Sequence, residues 1–136
     1  MKNQYLVIIK TSSKDVPRNY ELSASKIIAE YFKTNVIFLR PIPMKSPDLD
    51  IDGKIWELKS PTGNSKNTIH NNFKEARVKT VNIIIDLRRC RLNEVNAKAR
   101  IRAEIKKRKR RKGGILVINK KGEVLDFSSM LKYNKG

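Results

Sequence analysis

The residues best equipped for chemistry lie in the stretch SPDLDIDGKIWELKSP at 46–61, where Asp48, Asp50 and Asp52 lead into an Asp-Gly dipeptide and Glu57 and Lys59 follow it. The chain has 13 acidic residues against 31 basic ones, so carboxylates gathered beside a lysine need a reason. Asp52-Gly53 between alternating apolar residues is a strong hairpin signal. With those two residues at the centre of a tight turn, Asp48 falls directly opposite Glu57, their Cβ atoms roughly 5 Å apart. Two carboxylates that close repel unless a proton or a cation bridges them, and oxygen ligands of this kind suit Mg²⁺ or Mn²⁺. Alternation puts Lys59 on the Glu57 face and turns Trp56 and Leu58 toward a core. Acid, acid and lysine on one face can hydrolyse a phosphodiester. A metal held by the acids polarises the phosphoryl oxygen and acidifies water, while the ammonium positions the nucleophile or offsets developing negative charge. Asp50, Asp52 and Lys54 read instead as solvated turn residues.

The surrounding pattern supplies elements to hold this hairpin. An apolar run at 4–9 reads as a strand, and over 17–32 Tyr20, Ala24, Ile27, Ile28 and Tyr31 recur at helical spacing. NVIFL at 35–39 is a further strand. After the hairpin a helix is expected from Asn67, carrying Ile69, Phe73 and Ala76 inward. VNIIIDL at 81–87 has the unbroken apolar character of a central, fully buried strand. A long basic helix over 92–112 closes at Gly113-Gly114, and ILVIN and EVLDF form a last hairpin across Lys120, Lys121 and Gly122. The expected fold class is α/β, a mixed central sheet flanked by helices.

At 136 residues the chain is one domain by length, able to bury roughly two thirds of its unfolded surface. A single cysteine, Cys90, excludes an internal disulfide, and neither a membrane-spanning run nor a signal-peptide core follows Met1. The expectation is a protein acting in a reducing, cytoplasmic setting without a membrane partner. The net charge of +18 predicts a polyanionic partner, nucleic acid above all. Ten of the fifteen residues over 98–112 are basic, so the helix carries charge on every side. Lys106, Lys107, Arg108, Lys109, Arg110 and Arg111 are therefore candidate phosphate contacts, although cations in a last turn also complement the helix dipole.

Pro47-Asp48, eight intervening residues and then Glu57-Leu58-Lys59 resemble the PD-(D/E)XK nuclease motif. WELKSPTGNSKNTIHNNFKEA followed by NIIIDLRR resembles the C-terminal tRNA nuclease domain of CdiA-type contact-dependent inhibition toxins, over roughly 20–127. The resemblance implies a PD-(D/E)XK nuclease-like fold and a metal-dependent endonuclease, with Asp48 and Glu57 as metal ligands, Lys59 as the catalytic lysine and tRNA as substrate. Mg²⁺ or Mn²⁺ is favoured, with Zn²⁺ a further option. It implies a first-helix acid, for which Glu21 is preferred to Glu30, and puts Asn72 where the family often has a glutamine. On the helix after the motif, which carries Asn72, His70 and Arg77 share the opposite flank as candidate nucleic-acid contacts. A cognate immunity protein is the further partner implied. A DNA endonuclease of the same fold and a non-catalytic basic nucleic-acid-binding module remain the alternatives.

Overall fold

A computed structural model describes residues 5–10, 16–39, 48–65, 67–79, 82–108 and 113–128, with the backbone alone at 75–79 and 108. Among them run strands β1 (Val7–Ile9), β2 (Val36–Leu39), β3 (Asp48–Ile51), β4 (Lys54–Lys59), β5 (Ile83–Asp86), β6 (Ile115–Ile118) and β7 (Val124–Asp126), and helices α1 (Asn19–Phe32), α2 (Thr68–Lys79) and α3 (Glu94–Arg108). All seven strands join one sheet in chain order. Each expected strand and helix is present, and the sheet is mixed as expected. β1 and β2 pair in parallel, β2, β3 and β4 form an antiparallel meander, β4, β5 and β6 are parallel, and β7 returns antiparallel.

Two apolar layers cover the two faces of the sheet, which is why residues 83–85 of β5 and all of β6 are apolar on both sides. Ile83 and Ile85 of β5 and Ile115 and Val117 of β6 pack with Ile69 and Phe73 of α2 and with Ala97, Ile101 and Ile105 of α3. The intervening residues Ile84, Leu116 and Ile118 pack on the opposite face with Ala24 and Ile28 of α1, and Trp56 and Leu58 of β4 join them there. Alternation along a strand thus feeds two cores, each stabilised by roughly 25 cal/mol per Å² of apolar surface removed from water. Helix α1 touches β1 and β2 and also β7 at the far edge, so the sheet curls around it. The bulk of Trp56 requires a bare backbone opposite, since a Cβ at Gly114 would collide with its ring.

The hairpin that carries the acids is built as its sequence dictates. Asp52 and Gly53 both have positive φ, 52° and 86°, the handedness that matches the twist of the flanking strands. The Asp50 carboxylate accepts a hydrogen bond from the Gly53 amide at 3.0 Å, a turn role consistent with its solvated reading. Ala76 lies among the positions whose side chains fall outside the described set.

Candidate active site

The β3–β4 ladder sets Asp48 opposite Glu57, in the register expected from the turn. In β4 the side chains of Glu57 and Lys59 lie on the face opposite Trp56 and Leu58, because their ladder partners in β5 are Ile83 and Ile85, which face α2 and α3. Glu57 is 1% exposed and Lys59 6%, while Asp48 is half-buried. Lys59 Nζ stands 3.5 Å from Glu57 Oε2. Three ionisable groups are thus held together at low exposure, where charge interactions are stronger than in water. Pro47 lies outside the described residues.

Among the described residues, no three His, Cys, Asp or Glu side chains converge as a ready metal cage. A divalent cation here would rest on Asp48 and Glu57, leaving its other positions to water and substrate. That donor set fits Mg²⁺, which commonly binds through one or two carboxylates and keeps several waters.

The two candidate first-helix acids sit at opposite ends of α1. Glu21 is 4% exposed in the first turn, where its Oε1 accepts the Arg18 amide at 2.9 Å. Glu30 lies about 14 Å further along the helix axis. It lines a cavity of about 680 Å³ shared with Ser23, Lys26, Tyr31 and Gly122. On α2, Asn72 turns its side-chain amide onto the Thr68 carbonyl of its own helix at 2.8 Å. His70 Nδ1 lies 3.0 Å from Oε2 of Glu104 on α3, which links the two helices that cover this face. The side chains of Arg77 and Arg108, and residues Lys109, Arg110 and Arg111 entirely, lie outside the described set. Lys106 and Lys107 are exposed in the last turn of α3, and Lys107 Nζ is 3.9 Å from Glu104 Oε2.

Motif spacing did not single out a second charged group at the same end of the sheet. Asp86, fully buried at the end of β5, is held by Arg88 Nη2 at 2.9 Å and Nε at 3.0 Å. Arg88 then reaches α1, donating to Ser23 Oγ at 2.7 Å and to the Tyr20 carbonyl at 3.3 Å. Its hydrogen bond to Asp86 raises the Arg88 pKa further above its ordinary value. The available signal was a carboxylate ending the apolar run of β5 and followed by arginine, since a buried acid there must find a cation. Because β4 and β5 are parallel, this clamp fixes the first turn of α1, Glu21 included, at the end of the sheet where β4 closes with Lys59, on the face opposite the Lys59 side chain. Ser60, next after Lys59, has a buried hydroxyl without a hydrogen-bond partner among the described residues.

Comparison with known proteins agrees with this architecture. A structure described as a CdiA-CT/CdiI toxin and immunity complex from Burkholderia pseudomallei is similar at a TM-score of 0.60 and 17% identity, over 90% of this chain and 98% of that one. No curated protein sequence matches the chain. Residues 45–124, from just before the acidic hairpin into β7, match the family model for the contact-dependent growth inhibition CdiA C-terminal domain, and the chain belongs to that family.

Proposed function

We propose that this domain is a toxin nuclease of the PD-(D/E)XK type, which hydrolyses phosphodiester bonds in RNA, with tRNA as its foremost substrate, using Mg²⁺ or Mn²⁺. The observation that carries the reading is the opposition of Asp48 and Glu57 across the β3–β4 ladder with Lys59 Nζ 3.5 Å from Glu57. Asp48 and Glu57 would hold the cation, whose contribution when bound is to polarise a phosphoryl oxygen and acidify water. Lys59 keeps an ammonium beside the reacting phosphate, where it orients the attacking water and offsets the charge that accumulates on the phosphoryl oxygens. Glu21 stands by at the end of the sheet as a third acid. The net charge of +18 supports a polyanionic substrate. Family membership supports a site of action in the cytoplasm of a target cell. The similarity to a chain of a toxin and immunity complex supports a cognate immunity protein for this chain.

The test incubates the purified protein with total RNA and, separately, with plasmid DNA, with EDTA or with added Mg²⁺, Mn²⁺ or Zn²⁺. Cleavage of tRNA that needs a divalent ion and disappears in Asp48→Ala and Glu57→Ala is the expected outcome. Preferential cutting of plasmid would move the substrate to DNA, and cleavage at the parent rate by Asp48→Ala would remove the metal-nuclease reading.

A further inference from the structure

Beside the Asp86–Arg88 clamp, the turn after β5 and the first turn of α1 build a surface that the catalytic reading leaves unused. The Arg89 guanidinium lies over the Tyr20 ring at 3.6 Å from its centroid, and Arg18 Nη1 donates to the Tyr20 hydroxyl at 3.3 Å. Arg89 and Arg18 are exposed and Tyr20 is half-buried. Arg88 already fastens the helix to the strand end through Asp86, Ser23 and the Tyr20 carbonyl, so the stacked arginine is not needed for that anchorage. Among the described residues no carboxylate pairs with Arg89. Its charge is therefore left for an anion, while its plane is held flat by the ring beneath it.

The location gives the surface its meaning. Lys59 is the ladder partner of Ile85, and Asp86, Arg88 and Arg89 follow directly where the parallel strands end. The Lys59 side chain lies on the α2–α3 face of the sheet and α1 on the other, so Lys59 and this surface flank the carboxyl end of β4 and β5 from opposite faces. A strand of nucleic acid reaching over that end would meet both. Single-stranded nucleic acid is recognised by stacking bases on aromatic rings or on guanidinium planes, with flanking cations on the phosphates.

We infer that Tyr20 and Arg89 form a stacking platform for one unpaired base of the substrate, at the end of the sheet where β4 closes with Lys59, with Arg18 on the adjoining phosphate. The inference rests on the nuclease reading for its substrate, but base binding is measurable without cleavage. The platform selects unpaired nucleotides over duplex because a paired base offers no free face to the guanidinium. It thereby directs the domain to loops and single-stranded ends.

The test is fluorescence anisotropy with labelled single-stranded oligoribonucleotides, the matching oligodeoxyribonucleotide, an RNA duplex and inorganic polyphosphate, all in EDTA so that nothing is cut. Arg89→Ala and Tyr20→Ala are expected to weaken single-strand binding about 5- to 160-fold, the range of one base stack. Tyr20→Phe keeps the ring and should bind within about twofold of the parent if stacking dominates. Arg89→Lys keeps the charge but loses the plane, and is expected to weaken the single strands while leaving polyphosphate binding unchanged. RNA and DNA single strands should respond alike, since every base has a stacking face. Parent-like single-strand affinity in Arg89→Lys overturns the platform, as does an equal loss for single strand, duplex and polyphosphate, which would mark a simple charge contact. Melting temperatures check folding, and if Tyr20→Ala unfolds, Arg89→Lys decides alone. A protein that cuts nothing fails the nuclease reading yet can still pass this binding test, whereas one that cuts while Arg89→Lys binds as the parent fails only the platform.

Discussion

Glu57 stands between two neighbours of opposite charge. Asp48 faces it across the ladder and repels it, while Lys59, two positions on, attracts it at 3.5 Å. Removing one acid is therefore not equivalent to removing the other. Asp48→Ala relieves like-charge repulsion and leaves the Glu57–Lys59 pair intact, so it should lower the melting temperature of the metal-free protein less than Glu57→Ala does. Glu57→Ala takes the carboxylate away from a lysine that is 6% exposed, and breaking a buried ion pair costs about 3 kcal/mol or more. Thermal melts in EDTA check this contrast; equal melting temperatures for the two variants would mean that the lysine gains nothing from Glu57. Added Mn²⁺ should raise the melting temperature of the parent through mass action but not that of either acid variant. The opposed pair was legible in the sequence because an Asp-Gly turn fixes its own register. The stacked Tyr20 and Arg89 were not, since their meeting depends on where a distant helix lands.

Elements enter where such residues must be held, and the start of α1 is the clearest case. Its N-terminal turn is fastened by Arg88, whose carboxylate partner Asp86 is fully buried. Arg88→Met should destabilise the fold by about 3 kcal/mol or more, because it leaves the buried Asp86 carboxylate with the backbone amide at position 88 but without a cation. Denaturant unfolding at neutral pH measures it, and a loss within about 0.5 kcal/mol would show that the carboxylate does not need the guanidinium. The same variant should also disturb the placement of Glu21 and Tyr20. The strands and helices themselves were legible from periodicity, down to the unbroken apolar run of β5. The clamp was not, because periodicity assigns a buried face without naming what a lone acid on that face will meet. His70 carries the same lesson: its helical position was readable, but its bond to Glu104 required knowing that α2 and α3 lie side by side.

Across the described residues, charge and apolar patterning are kept apart except at a few buried groups, Glu21, Glu57, Lys59, Asp86 and Glu104. Both faces of the sheet are sealed by isoleucine-rich layers, so the excess of cations is displaced to helix surfaces and loops. The alternation of strands and helices gave the α/β class directly, whereas the curl that brings α1 against both β1 and β7 arises from sheet twist and packing that no local window encodes. A surface charge of this size should dominate encounter with nucleic acid, and the last turn of α3 offers a direct measure of how much. Lys106 and Lys107 are exposed, and the Glu104 carboxylate, 3.9 Å from Lys107, is too weakly placed to claim its charge. Lys106→Gln with Lys107→Gln should leave the melting temperature nearly unchanged, as expected for surface substitutions worth within about 0.5 kcal/mol. If both lysines touch phosphates, the slope of log affinity against log salt should flatten by roughly 0.7 for each on single-stranded RNA and roughly 0.9 for each on duplex DNA, because fewer counterions are released. Binding isotherms over a series of salt concentrations give the slope for parent and double variant. An unchanged slope would place Lys106 and Lys107 outside the contact surface.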